Sequence, residues 1–149
     1  VESDSPVSVA ARTYAKYTDI NDGSKVKTYG QGYPGRGSGA ALLHGQVGYL
    51  PGLRSDGAYY TNVDVANVGT VATNVEFRFF DRSGVLLGSP IAIRVDPNRR
   101  DDRARALPPT PAGGFAEVRV LTPGAKVVPF ASVIDDNSKD PTTVELVTP

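Results

Sequence analysis

The chain contains no cysteine, no methionine and no tryptophan, and its one histidine is His44. Without cysteine, disulfides, thiol nucleophiles and thiolate-held metals are excluded, although the compartment stays open on that count alone. Without methionine there is no initiator, so the 149-residue sequence is expected to be processed or cut from something longer. It shows no signal peptide, and a mature secreted protein would show none. Net charge is missing too: 16 basic residues offset 16 acidic ones. Phosphate binding needs a basic surplus, so no nucleic-acid partner is expected. No apolar run approaches the roughly 20 residues of a spanning helix, so no membrane span is expected. No segment sustains helical apolar spacing for three turns.

What is present is β composition. Gly and Pro, 16 and 12 residues, fall mostly between short stretches rich in Val and Thr. Strands are expected at 6–17, 26–32, 58–66, 71–80, 85–95, 115–122, 127–134 and 142–148. The clearest runs Ala58 to Ala66, with Tyr59, Thr61, Val63 and Val65 on one face and Tyr60, Asn62 and Asp64 on the other. Period two with one apolar face marks a half-buried antiparallel strand. Val75, Phe77 and Phe79 repeat the pattern against Glu76 and Arg78. Gly88-Ser89-Pro90 interrupts the 85–95 strand, because proline cannot donate to a ladder. Strands at this spacing, separated by turn residues, predict an all-β antiparallel sandwich.

The two ends of the chain resemble each other. Val7 to Tyr14 and Thr28 to Pro34 read as strand, polar turn, strand and proline. Val127 to Ile134 and Thr143 to Pro149 read the same way. Gly35-Arg36-Gly37-Ser38-Gly39 has linker composition. The expected division is a hairpin over 1–34, the tail of a preceding module, and a sandwich over 35–149. Two strands alone are marginal in water. The hairpin is therefore expected to extend a sheet, either of its own domain or, by strand addition, of a neighbour. Head-to-tail addition that does not close produces a filament. The residues expected at such an assembly interface are Val7, Val9, Ala11, Tyr14 and Tyr29.

Thr61-Asn62-Val63-Asp64-Val65-Ala66-Asn67-Val68-Gly69, followed by Val75 to Gly84, resembles the Ig-like sandwich modules of secreted bacterial surface proteins, adhesion-related ones among them. Tyr49 to Arg54, Ala131 to Asp136 and Asp140-Pro141-Thr142 extend the likeness, as do Arg12-Thr13-Tyr14 and Tyr29-Gly30-Gln31. The resemblance implies an Ig-like sandwich and a noncatalytic structural or adhesive module, extracellular or at the cell surface. It offers no catalytic residue to transfer. The expected partners are further copies of the chain or other surface proteins, and no cofactor is expected. Asn98 to Leu107 departs from it, being charged where such modules carry a more apolar strand.

Other residues fit more than one role. His44 would have to serve any Ser-His-Asp arrangement, but no Gly-x-Ser-x-Gly elbow accompanies it. A carboxylate pair such as Asp101 with Glu117 would serve hydrolysis only within one pocket. Asp19-Ile20-Asn21-Asp22-Gly23 and Asp135 to Asp140 offer oxygen ligands for calcium, yet lack a distal Glu and are equally good turn formers. Arg99 to Arg105 fits an acidic polysaccharide or a charged edge strand that resists pairing. The tyrosines, with Tyr14, Tyr17, Tyr29 and Tyr33 in the first hairpin, fit either sugar stacking or ordinary strand and interface packing.

Overall fold

The computed structural model describes residues 10–19 and 22–149. In chain order the strands are β1 (Ala10–Asp19), β2 (Asp22–Pro34), β3 (Leu42–Leu43), β4 (Val47–Ser55), β5 (Tyr59–Asn67), β6 (Thr73–Asp81), β7 (Ile91–Val95), β8 (Arg100–Arg103), β9 (Thr110–Val120), β10 (Lys126–Asp135) and β11 (Pro141–Glu145). One 3-10 turn, Ser38–Ala40, lies in the glycine-rich segment. Two antiparallel sheets form the body. The first has the order β11–β10–β5–β8, with β3 also on β10; the second has the order β4–β9–β6–β7. From β3 to β10, every connection except the β6–β7 hairpin crosses between the sheets. That is the double Greek-key order of a jelly roll.

The sandwich follows from the alternation. Thr61, Val63 and Val65 of β5 turn inward, as do Val127, Ala131 and Val133 of β10. They meet Val75, Phe77 and Phe79 of β6 and Ala116, Val118 and Val120 of β9. Each large side chain so buried contributes roughly 1.5–3 kcal/mol. Buried polar groups are paired across the layers. Thr61 donates to the Arg54 carbonyl at 2.7 Å. Asn67, 2 % exposed, donates to the carbonyls of Val71 and Val95 at 2.8 and 3.1 Å and accepts from the Gly69 amide.

Two elements, β4 and the 85–95 segment, differ from expectation, and a third, β8, takes the charged-edge form that its sequence offered. β4 carries no clean alternation, because its pairing with β9 slips twice between Leu50 and Ser55. The extra residues there, Pro51 and Gly52 (φ 68°), let both Leu50 and Leu53 face the core despite their odd spacing. The strand expected over 85–95 is ladder only at Ile91–Val95. Gly88 takes φ 66° ahead of Pro90, and Leu86 makes one isolated bridge to Phe80. The charged run forms β8, all four residues exposed at the edge of the first sheet.

The N-terminal hairpin requires a correction. It extends neither sheet: β1 and β2 form a separate two-stranded sheet, registered from Ala10↔Pro34 to Asp19↔Asp22. Its base instead lies on the outer face of the first sheet through side chains.

One glycine tests the packing of the second sheet. A side chain at Gly114 would collide with the Phe80 carbonyl on the neighbouring strand, whereas Gly84 (φ 87°) has open space around it. Gly114→Ala should cost about 2–3 kcal/mol from overpacking, and Gly84→Ala about 1–2 kcal/mol from its left-handed backbone. Urea unfolding of the two variants checks the order.

Candidate functional site

The outer face of the first sheet presents Tyr60, Asn62 and Asp64 from β5, and Phe130, Ser132 and Ile134 from β10. These are the positions that alternate with the inward set. β8 adds Arg100 and Asp102, opposite Ala66 and Asp64, and β11 adds Thr143 opposite Ser132.

The hairpin base is seated here. Gln31, 6 % exposed, spends its whole amide on the contact. Its Nε2 donates to Ser132 Oγ at 2.6 Å and to Thr143 Oγ1 at 3.0 Å, while its Oε1 accepts from the Tyr33 hydroxyl at 2.9 Å. Thr143 in turn donates to the Gly32 carbonyl at 2.6 Å. The Tyr33 ring stands edge-on to Phe130, centroids 5.6 Å apart and planes at 78°. Arg36, just past the hairpin, pairs with Glu145 of β11. Among the described residues, the hydrogen bonds, ion pair and ring contact between hairpin segment and sandwich come from residues 31–36.

The rest of the hairpin is differently placed. Ala10, Ala11, Arg12, Thr13, Lys16 and Thr18 are exposed, and the ladder partner of β1 is β2. Of the residues expected to carry assembly, Ala11 is exposed on β1 opposite Tyr33. Tyr14 and Tyr29 occupy β1 and β2, opposite Gly30 and Ala15, with side chains outside the described part. Val7 and Val9 lie outside the described residues altogether, as do Ile20 and Asn21 of the first Asx-rich turn.

Beside the clamp, a polar cleft of about 460 Å³ opens between the hairpin and the sheet, with Gln31, Asn62, Asp64, Arg100, Asp102 and Ser132 among its walls. Asp64 is only 2 % exposed. It accepts from Arg100 Nε at 2.9 Å and pairs with the same guanidinium through Nη2. Its carboxyl is pushed above the ordinary range: burial outweighs the hydrogen bond and charge of Arg100, and the like charge of Asp102 adds to the rise. Arg100 also covers the face of Phe130, 5.6 Å from its centroid.

The other candidates are not brought together. His44 is exposed at the turn before Gly45 (φ 85°). Asp101 lies on β8 of the first sheet, while Glu117 lies on β9 of the second, held by Arg119 at 2.8 Å. In the second Asx-rich turn the Asp135 carboxylate accepts the amides of Asn137 and Ser138, which lowers its pKa. No group of three or more His, Cys, Asp or Glu suited to a metal occurs among the described residues. Among the described residues, no helix is long and apolar enough to cross a membrane. The role of Gln31 escaped sequence reasoning: it looks like a surface strand residue, and only its distance in sequence from Ser132 and Thr143 hid the contact.

No family model matches the chain, and no curated protein does. A solved structure, the crystal structure of Thermotoga maritima 1070, is similar at 11 % identity and a TM-score of 0.48, covering 72 % of this chain and 94 % of that one.

Two outcomes follow from the clamp and the ion pair. Gln31→Ala removes three hydrogen bonds, each with a net contribution of about 1 kcal/mol, so tryptic cleavage after Arg36 should speed up by at least about five-fold. The sandwich should lose no more than about 4 °C in Tm. Arg100→Ala leaves Asp64 buried without its cation. The native state then holds the Asp64 proton more tightly than the unfolded state, so stability falls as pH rises between the unfolded and the folded value. The variant should be weakest near neutrality, by about 1–2 kcal/mol given the half-exposed arginine. Its deficit should shrink as pH approaches about 3.9. Asp64→Asn should lack that pH dependence, and urea unfolding across pH checks both.

Proposed function

We propose that the protein is a noncatalytic structural module, of the extracellular or cell-surface kind, that joins a neighbouring copy through its N-terminal hairpin. The observation that carries this reading is the single-sided pairing of β1. Within the described residues, β1 has β2 along one edge, and its other edge is free. A free edge presents unpaired amides and carbonyls, which are a template for another strand. A two-stranded ribbon is marginal by itself, and the described anchoring of this one is confined to its base. β10, the strand that β1 resembles in sequence, has β11 on one side and β5 on the other. The missing neighbour of β1 corresponds to β5, and a strand from a second chain supplies it. The clamp fixes the hairpin's origin on its own sandwich and leaves the exposed Ala10 to Thr13 segment available. Repeated head-to-tail, this contact builds a filament; made reciprocally, it closes a dimer.

Sedimentation velocity over a concentration series tests the reading, on the full chain and on a chain lacking residues 1–34. The full chain should associate with rising concentration, and the shortened one should remain a monomer. Identical sedimentation of the two, with unchanged melting, would contradict the assembly role.

A further inference from the structure

The second sheet carries an apolar row where its outer face should be polar. The bridges set Val147 opposite Tyr49 and Leu86 opposite Phe80, and Phe80 pairs with Phe115 across β6 and β9. The Phe80 and Phe115 rings stack, centroids 5.1 Å apart and planes at 13°; Tyr49 leans on Phe115 at 6.4 Å and 55°. Val147, Tyr49, Phe115, Phe80 and Leu86 thus form a row across the sheet, stepped between β4 and β9, where Tyr49 stands opposite Glu117 and reaches Phe115 on the diagonal. Val147 is 53 % and Leu86 42 % exposed, and the three rings are half-buried. The polar neighbours on the same face include Glu76, Arg78, Glu117 and Arg119; Glu117 lies 3.6 Å from Arg78 and 2.8 Å from Arg119, and the buried Arg78 Nε has no hydrogen-bond partner among the described residues.

A groove of about 750 Å³ runs beside Tyr49 and Phe115, where the β4–β9 pairing slips. Its floor is bare backbone: Gly52 and Gly113 take φ 68° and 75°, and Gly114 has no room for a side chain. Two cations stand on its rim. Arg54 is engaged, held by Asp56 at 2.7 Å and stacked 3.6 Å over Tyr59. Arg82 is exposed and makes no hydrogen bond or ion pair among the described residues.

We propose that this row and groove bind a single extended chain of an acidic polysaccharide. The aromatic faces, electron-rich at their centres, receive the C–H faces of pyranose rings. Gly52, with open space where a side chain would stand, leaves backbone within reach of hydroxyl groups, and the exposed Arg82 guanidinium matches a sugar carboxylate. Shape decides against a protein partner. Five positions at about 4.8 Å spacing make a row roughly 19 Å long and one side chain wide, far below the roughly 800 Å² that each partner of a stable protein pair buries. A thin linear ligand fits those dimensions. The charged run on β8 is a weaker seat for the same ligand, because Arg100 and Arg105 are already paired with Asp64 and Asp136.

Affinity electrophoresis tests the proposal, with the full chain run at physiological salt through gels holding polygalacturonate, alginate or neutral hydroxyethyl cellulose. The acidic polymers should retard the protein. Tyr49→Ala and Arg82→Glu should each weaken that retardation about ten-fold in apparent Kd. Arg82 sits on an exposed turn, so its variant reports on binding even if Tyr49→Ala disturbs the fold. Absence of retardation overturns the proposal. Equal retardation by the neutral polymer, unaffected by Arg82→Glu, overturns the acidic assignment. Loss with Arg103→Glu but not Arg82→Glu moves the site to β8 and also overturns it. Because the hairpin is on the opposite sheet, deleting residues 1–34 should leave retardation intact, which separates this outcome from that of the assembly reading.

Discussion

The buried Gln31 amide is the interaction on which the arrangement of this molecule turns. A primary amide taken out of water must find partners for two donors and an acceptor, or it costs more than the burial returns. Gln31 finds them in Ser132, Thr143 and Tyr33. Ser132 and Thr143 face each other across β10 and β11, so one side chain bridges two strands of the sandwich. That bridge holds the hairpin base across a sheet face instead of along a sheet edge. Within the described residues, β1 has β2 along one edge alone.

The sandwich beneath owes its form to simpler physics. Alternating apolar residues on β5, β6, β9 and β10 build one continuous core. The exceptions to alternation are the informative places. Asp64 is an outward-facing carboxylate that nevertheless becomes buried, because the hairpin and Arg100 close around it. Phe80 and Phe115 are outward-facing rings kept in contact by Gly114, the position where the Phe80 carbonyl leaves no space for a side chain. Both exceptions lie on sheet faces, and on opposite sides of the molecule.

Much of this was legible in the sequence, and what was not has specific causes. β5 and β6 declare themselves by period two, whereas β10 is apolar on both faces and is readable only as an apolar run before a polar turn. β8 was readable as a charged edge because four consecutive exposed residues, Arg100 to Arg103, cannot line a core. β4 was not readable, since the Pro51-Gly52 bulge shifts its parity midway and makes Leu50 and Leu53 share a face. The likeness of the two ends was visible, but the pairing registers differ. Ala11 stands opposite Tyr33, whereas Ala131, its counterpart, stands opposite Val144 and not opposite Thr148, the counterpart of Tyr33. The Gln31 clamp and the aromatic row were both hidden for one reason. Each joins residues from strands far apart in sequence, and local patterns carry no information about which faces meet.

The central claim, a hairpin clamped in cis at its base and completed in trans along β1, is tested most directly by amide hydrogen exchange of the intact chain across a dilution series. The outward-pointing amides of β1 should be protected at high concentration and lose that protection on dilution, while those of Gln31 to Tyr33 keep theirs throughout. Protection of β1 that is independent of concentration would contradict the account.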